Sequence, residues 1–129
     1  MAYPTNYRYT REHEWIVLNG SIGTIGITDY AQNSLGDIVY VEVPKVGDPV
    51  TANATFGSVE SVKAVSDLFS PVTGAVTAVN EELKSAPDKI NEAPHDTWII
   101  KVEVADLSQL DALLDAAAYE AFIAEETGT

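Results

Sequence analysis

The sequence predicts a mainly β fold, a barrel or sandwich built from short strands. Short segments of alternating polar and apolar residues recur over the first two-thirds of the 129 residues. Turn-forming residues separate these segments, at Pro44, Pro49, Pro71, Gly74 and Pro87. Many short strands at close spacing are typical of β-barrels and β-sandwiches.

The first predicted pair of strands is a hairpin. Residues 13–18 and 21–27 flank Asn19-Gly20. Asn-Gly is a strong signal for a two-residue hairpin turn, because both positions tolerate positive φ angles. We therefore expect these two segments to pair in an antiparallel manner.

Three later segments, residues 36–43, 72–79 and 96–104, also show the period of two that a strand requires. The residues predicted to share one side of their strands are Val39, Val41 and Val43, then Val72, Val76 and Ala78, then Trp98, Ile100, Val102 and Val104.

Helices are predicted at two places. Thr28 is suited to cap a short helix that ends at Gly36. Near the other end, Ser108 and Asp111 resemble a capping box, and Asp115 is placed to start a second helix. The apolar residues after Ser108 recur near helical spacing, which is typical of an amphipathic helix packed on a sheet.

A lysine interrupts the pattern within residues 56–67, FGSVESVKAVSD. Val59, Val62 and Val65 are predicted to face the core along two strands, with Lys63 on the tight turn between them. A lysine on a turn is ordinarily a solvated surface residue, and taken alone Lys63 carries no functional signal.

Composition excludes several classes of function. The chain has 20 acidic and 7 basic residues and a formal charge of -13, which opposes binding to nucleic acid. It has no cysteine and two histidines, so disulfides, thiolate metal sites and protein thiol nucleophiles are excluded. No apolar run approaches the roughly 20 residues of a membrane span, and the first residues resemble no signal or transit peptide. We expect a cytoplasmic protein with no nucleic-acid or membrane partner.

Several motifs together resemble the H proteins of the glycine cleavage system, which are relatives of the lipoyl and biotinyl carrier domains. The combination of ESVKA with GITDYAQ and GDIVYVE is specific, whereas V-K-A alone would be weak. The matching segments are REHEW (11–15), GITDYAQNSLGDIVYVEVP (26–44), VGDPV (46–50), FGSVESVKAVSD (56–67), SPVTGAV (70–76), VNEEL (79–83) and LLDAAAYEAFIAEE (113–126).

The resemblance implies a barrel–sandwich hybrid of two antiparallel sheets, with a short helix near 29–35 and C-terminal helices. Residues 1–129 would form a single lipoyl-carrier domain with a C-terminal helical segment. A monomer is expected.

The resemblance also implies a carrier protein and not an enzyme. Lys63 would hold lipoic acid as N6-lipoyllysine, attached by a lipoate ligase or lipoyl transferase. The loaded protein would carry the aminomethyl group of glycine from a pyridoxal-phosphate glycine decarboxylase to a tetrahydrofolate-dependent aminomethyltransferase. The flavin (FAD) enzyme dihydrolipoyl dehydrogenase would then reoxidise it.

The same resemblance assigns a role to two acidic residues. Glu14 and Asp67 would line the groove that shelters the aminomethyl-loaded arm, with Glu12 nearby. From its position three residues before Lys63, Glu60 is our candidate for recognition by the ligase. The resemblance implies neither a catalytic residue nor a metal site.

One segment departs from the family pattern. A glycine-containing loop usually precedes the last strand, but here the chain reads Pro94-His95-Asp96-Thr97-Trp98. We expect His95 to be exposed at the tip of this loop. His13, between two glutamates, is interpreted as structural.

Related carriers remain as alternatives. The chain could relay lipoyl groups to other enzymes, or serve a 2-oxo-acid dehydrogenase complex, whose lipoyl domains carry D-K-A where this chain has Val62-Lys63-Ala64. A biotin carrier would have M-K-M, and a phosphopantetheine carrier would have D-S-L where this chain has Asn33-Ser34-Leu35. An unmodified adaptor of the same fold is the remaining alternative.

Overall fold

The structure, a computed structural model, describes residues 3–127 and contains nine strands in that range. In chain order they are β1 (Arg8–Tyr9), β2 (Glu14–Asn19), β3 (Ile22–Ile27), β4 (Ile38–Glu42), β5 (Pro49–Val50), β6 (Thr55–Ser61), β7 (Val65–Phe69), β8 (Gly74–Val79) and β9 (Ile100–Val104).

The strands form two antiparallel sheets that do not close on each other. The larger has the order β1-β2-β3-β9-β8-β5, and the smaller has the order β4-β6-β7. Both sheets contribute buried side chains to one apolar cluster, which includes Ile25 and Val102 from the larger sheet and Val59 and Leu68 from the smaller. The predicted mainly β fold with two antiparallel sheets is confirmed.

Three α-helices and two short 3-10 helices accompany the sheets within residues 3–127. They are α1 (Asp29–Leu35), α2 (Lys89–Glu92) and α3 (Ala116–Thr127), and the 3-10 helices Glu81–Lys84 and Leu107–Ala112. In this part of the chain, no helix is both long and apolar enough to cross a membrane.

Two of the three predicted helix starts are confirmed. The Thr28 hydroxyl accepts a hydrogen bond from the Ala31 amide at 3.2 Å and caps α1. Asp115 accepts from the Ala118 amide at 2.8 Å at the start of α3. The prediction for Ser108 is wrong, because Asp106 accepts from both the amide and the hydroxyl of Ser108 and so begins the 3-10 helix earlier.

The hairpin predicted around Asn19-Gly20 is confirmed, with β2 and β3 paired from Glu14↔Ile27 to Asn19↔Ile22. The last strand begins at Ile100 and not near residue 96. Residues 94–96 form a turn instead, in which the Asp96 amide donates to the Ala93 carbonyl.

The predicted alternation fails in β4. Ile38 and Val41 are buried, whereas Val39 is 49% exposed. The pairing of β4 with β6 shifts between Ile38 and Tyr40, and such an irregularity turns the following side chains to the other face. Val39 therefore lies outside the core.

An aromatic cluster joins the N-terminal segment to α3. Tyr9, Trp15 and Tyr119 are each at most 2% exposed, and the rings of Tyr9 and Tyr119 stack with centroids 4.8 Å apart. The Tyr119 hydroxyl lies 2.8 Å from His13 Nδ1 and 2.8 Å from the Thr28 hydroxyl. This one hydroxyl therefore links the turn before β2, the start of α1 and the C-terminal helix.

His13 has the structural position that the sequence predicted. Its Nε2 lies 3.2 Å from a Glu126 carboxylate oxygen on α3, and burial lowers the pKa of His13 although Glu126 opposes the shift. With the Nε2 proton directed at Glu126, the Tyr119 hydroxyl donates to Nδ1 and accepts from Thr28.

We expect Tyr119→Phe to lower the free energy of unfolding by about 1–3 kcal/mol, because it leaves buried partners on His13 and Thr28 unsatisfied. Tyr40→Phe is the matched control, since Tyr40 is 55% exposed and should change stability by less than about 0.5 kcal/mol. Urea unfolding monitored by circular dichroism measures both. Equal midpoints for the two variants would contradict the linking role.

Candidate functional site

Lys63 lies on the tight turn that joins β6 to β7, and its side chain is exposed. The turn closes through a hydrogen bond from the Ser61 amide to the Ala64 carbonyl at 2.8 Å. The buried Ser61 hydroxyl accepts from the amides of Lys63 and Ala64 at 3.2 and 3.1 Å. A side-chain oxygen that binds both amides fixes the backbone of the turn from inside.

The outer side of the turn is fixed by the segment between α1 and β4. The Val62 amide donates to the Asp37 carbonyl at 3.0 Å. Gly36 has φ 79°, and a Cβ atom there would lie 3.3 Å from Lys63 Cε and 3.9 Å from Lys63 Nζ. The lysine side chain therefore extends over a residue that has no side chain of its own.

The valines on either side of the lysine are exposed. Val62 and Val65 retain 66% and 65% of their surface, and the prediction that they face the core is wrong. Only Val59 of the three predicted core valines is buried, at 1% exposure. Val62 belongs to the turn, and Val65 pairs with Glu60 on the outer face of the smaller sheet.

Glu14 is a buried carboxylate between the two sheets, with 1% of its surface exposed. Its two oxygens accept from the Thr10 hydroxyl at 2.6 Å and from the Phe69 amide at 3.2 Å. Burial raises the pKa of Glu14 to about 7, although both hydrogen bonds lower it. A carboxyl group in this state can change its protonation near neutral pH.

Asp67 is exposed on the outer face of β7, where it pairs with Ser58, which in turn pairs with Glu42. Glu42, Ser58 and Asp67 line an open depression of about 370 Å³ together with Thr55, Phe56 and Gly57. Paired residues of antiparallel strands point to the same face, so two carboxylates flank this depression.

Glu60 is exposed in the neighbouring row of the same face, paired with Tyr40 on one side and Val65 on the other. Val65 follows Lys63 by two residues. Glu60 therefore lies beside the lysine turn, between two exposed apolar side chains.

The expectation that His95 is exposed is wrong, since its exposure is 8%. His95 Nε2 accepts from the Asp29 amide at 3.2 Å, and its carbonyl accepts from the Tyr7 hydroxyl at 2.8 Å. The adjacent Pro94 carbonyl accepts from the Trp15 indole at 3.0 Å. A loop without glycine is thus held by groups from three other segments, the side chains of Tyr7 and Trp15 and the backbone amide of Asp29.

The structure brings Lys63, Glu60 and Asp67 together on one hairpin, while Glu14 is buried and bonded to the amide of Phe69, two residues after Asp67. Glu12 is exposed on the turn before β2. The sequence interpretation missed several residues that shape the site, namely Gly36, Glu42, Ser61 and Asn91. Of these residues, only Ser61 could have been found from a local pattern, since a serine two residues before a turn lysine is suited to bind the turn amides.

The protonation of Glu14 should make stability depend on pH. Its pKa of about 7 in the folded chain exceeds its ordinary value of 4.5, so its contribution is complete below pH 4.5 and is lost as the pH rises through 7. Above pH 7, the wild-type chain should have lost about 3 kcal/mol of its free energy of unfolding, measured against the Glu14→Gln variant, which has no carboxyl group at this position. Urea unfolding between pH 4.5 and 8 measures this difference.

His13 and His95 are present in both the wild-type chain and the Glu14→Gln variant, so their contributions to the pH dependence cancel when the two free energies of unfolding are subtracted. A carbon-13 NMR titration of the Glu14 carboxyl group provides the direct control. A midpoint near pH 4.5 would show that burial does not perturb this group.

Comparison with known proteins agrees with the fold. Residues 7–126 match the family model described as Glycine cleavage H-protein. The glycine cleavage system H protein of Acidobacterium capsulatum is 68% identical over 128 residues, covering 99% of each chain, and that of Koribacter versatilis is 61% identical with the same coverage.

A crystal structure of a glycine cleavage system H protein from Mycobacterium marinum is also similar. It superposes with a TM-score of 0.84 at 34% identity and covers 98% of this chain and 100% of its own. The sequence match and this structural similarity both extend over nearly the whole chain. This chain therefore belongs to the glycine cleavage H-protein family.

Proposed function

We propose that this glycine cleavage system lipoyl carrier holds its lipoyl group on Lys63 and acts as one carrier domain over residues 1–129, without catalytic residues of its own. In this proposal it visits the pyridoxal-phosphate glycine decarboxylase, the tetrahydrofolate-dependent aminomethyltransferase and the FAD-dependent dihydrolipoyl dehydrogenase. A lipoate ligase or lipoyl transferase loads it.

The observation that carries the proposal is the fixed presentation of Lys63. Acylation requires an amine that an enzyme can reach, and the Lys63 side chain is exposed. Its backbone is held by Ser61 within the turn and by the Asp37 carbonyl outside it. Gly36 has no side chain that would crowd the lysine stem, which passes directly over it. The residues present therefore fit an attached lipoyl group.

When attached, the lipoyl group would supply a disulfide that is reduced as one of its sulfurs takes up the aminomethyl group left by decarboxylation of glycine; removal of that group would leave a dithiol, still attached to the lysine, for reoxidation. The chain contains no cysteine, so this sulfur chemistry comes from the attached group. The contribution of the protein is to hold Lys63 at a defined place and to leave a long arm free to enter partner active sites.

In this proposal, Asp67 receives the cationic end of a loaded arm. An extended lipoyl-lysine measures roughly 12–15 Å from bond lengths. Asp67 is four residues and Phe69 six residues after Lys63, which at 3.3 Å per residue corresponds to about 13 Å and about 20 Å. An arm folded back along this strand therefore reaches Asp67 near its full length, whereas the Phe69 amide lies beyond it.

Glu14 would act on the loaded arm indirectly, because it is buried beneath the end of β7. Its carboxylate bonds to the Phe69 amide, and an approaching ammonium group favours its ionised form. We propose that Asp67 pairs with the amine directly, and that Glu14 ionises in response and adds a buried negative charge. Glu60, which pairs with Val65 next to the lysine turn, would be recognised by the ligase.

We expect a lipoate ligase with lipoate and ATP to add one lipoyl group, confined to Lys63. Intact mass and peptide mapping measure it. Lys63→Arg should abolish the adduct, because a guanidinium offers no free amine for acylation. Glu60→Gln should reduce kcat/KM several-fold, whereas Asp67→Asn should not.

Lys84 and Lys89 are built-in controls, since each is ion-paired on the surface away from the turn. An adduct on either of them, or none on Lys63, would exclude the proposed attachment site. Adding glycine with the decarboxylase and pyridoxal phosphate then separates glycine carriage from service to a 2-oxo-acid dehydrogenase.

We expect Asp67→Asn and Glu14→Gln to accelerate loss of the aminomethyl group from the loaded protein, by several-fold for each variant, because each removes a carboxylate that stabilises the amine. The rate of ammonia or formaldehyde release measures the effect. Asp111→Asn, an exposed acid on the Leu107–Ala112 helix, is the control. Hydrolysis as slow as in the wild-type chain would rule out the groove role of the altered residue.

A further inference from the structure

The strongest unexplained arrangement is the side chain of Asn91, which makes three hydrogen bonds to a segment more than 50 residues away. Its Oδ1 accepts from the Ile38 amide at 2.9 Å. Its Nδ2 donates to the Gly36 carbonyl at 2.9 Å and to Gln32 Oε1 at 3.0 Å. The carboxamide thus uses both of its donor hydrogens and one acceptor position.

These bonds hold the backbone groups on both sides of Asp37, namely the Gly36 carbonyl and the Ile38 amide. The Ile38 amide and the Asp37 carbonyl belong to one planar trans peptide unit, in which the N–H and the C=O point in opposite directions. Because Asn91 binds the Ile38 amide, the direction of the Asp37 carbonyl is fixed.

The Asp37 carbonyl is the acceptor for the Val62 amide, one residue before the lysine, at 3.0 Å. Gly36, whose carbonyl Asn91 binds, is also the residue over which the Lys63 stem extends. One carboxamide therefore controls two contacts of the lysine turn, one to its backbone and one to its side chain.

The position of Asn91 is itself determined by the core. Asn91 belongs to the single-turn helix α2, and the preceding residue, Ile90, is 0% exposed within the main apolar cluster. A buried anchor next to the carboxamide prevents α2 from following a displaced Gly36–Ile38 segment. The segment is therefore held against a fixed support.

We propose that Asn91 is a positioning residue for Lys63, acting through the Gly36–Ile38 segment to fix the direction in which the lysine is presented. This inference rests on the proposed attachment of the lipoyl group to Lys63. Without the carboxamide, only a fraction of molecules would present the lysine correctly. That loss raises the apparent KM for the protein substrate and leaves kcat unchanged.

The experiment compares Asn91→Ala and the isosteric Asn91→Asp with the wild-type chain as substrates of a lipoate ligase. Both should raise KM about 10-fold if the competent fraction falls to about one-tenth, with kcat unchanged. Asn91→Asp keeps the acceptor for Ile38 but places a carboxylate against the Gly36 carbonyl. It therefore tests the donor bond without creating a cavity.

Two controls separate positioning from general loss of stability. Asn33→Ala removes an exposed asparagine on α1. Val104→Ala creates a cavity in β9, in the other sheet, and lowers overall stability. Neither control should change KM. A KM increase in Val104→Ala equal to that in Asn91→Ala would overturn the proposal.

Amide hydrogen exchange on the unmodified chain provides a readout that does not require lipoylation. The exchange rate of Val62 relative to Val59, a core amide of β6, should rise about 10-fold in both Asn91 variants and in neither control. An unchanged ratio would overturn the proposal, as would a raised ratio with normal KM. Absence of lipoylation at Lys63 in the wild-type chain would refute the attachment proposal as well, which distinguishes the two failures.

Discussion

The hydrogen bond from the Phe69 amide to the Glu14 carboxylate joins the two sheets, and the placement of the lysine hairpin depends on it. Glu14 begins β2 of the larger sheet, and Phe69 ends β7 of the smaller one. A buried carboxylate without partners would cost several kcal/mol, so the Thr10 hydroxyl and the Phe69 amide must remain where they are. Because moving the sheets apart would leave the buried Glu14 without the Phe69 amide, the hydrogen bond fixes the position of one sheet relative to the other.

The hairpin is consequently fixed at both ends. At the base, Phe69 is tied to Glu14; at the tip, Val62 is tied to Asp37. Between these points, Glu60 on β6 and Asp67 on β7 lie on the outer face of the smaller sheet, in neighbouring rows of paired residues. A protein that presents a long flexible arm gains from such stiffness at the base, since disorder there would add to the entropy lost when the arm enters a partner.

Local sequence signals predicted the elements whose stabilising contacts lie within a few residues. Asn19-Gly20 and Thr28 are of this kind, because a two-residue turn and a helix cap are formed by neighbours in the chain. The resemblance to the family predicted the two antiparallel sheets, which the structure has, and singled out Lys63 as the candidate attachment site. Local patterns failed at Val39, where an irregular strand pairing changed the face, and at His95, whose partners are 66 and 88 residues away.

The contacts that shape the site are long-range for a physical reason. A lysine that must remain exposed cannot be positioned by burying its own side chain, so its backbone has to be held by groups that are themselves anchored in the core. Ile90 anchors Asn91, and the aromatic cluster around Tyr119 supports the turn that leads into Glu14. The hydrogen bonds of Asn91 to Ile38, of Tyr119 to His13 and of Glu14 to Phe69 each join residues more than 50 positions apart. Ser61 holds the turn from within, but the rest of the support for this exposed lysine comes from distant parts of the chain, where single-sequence patterns carry no signal.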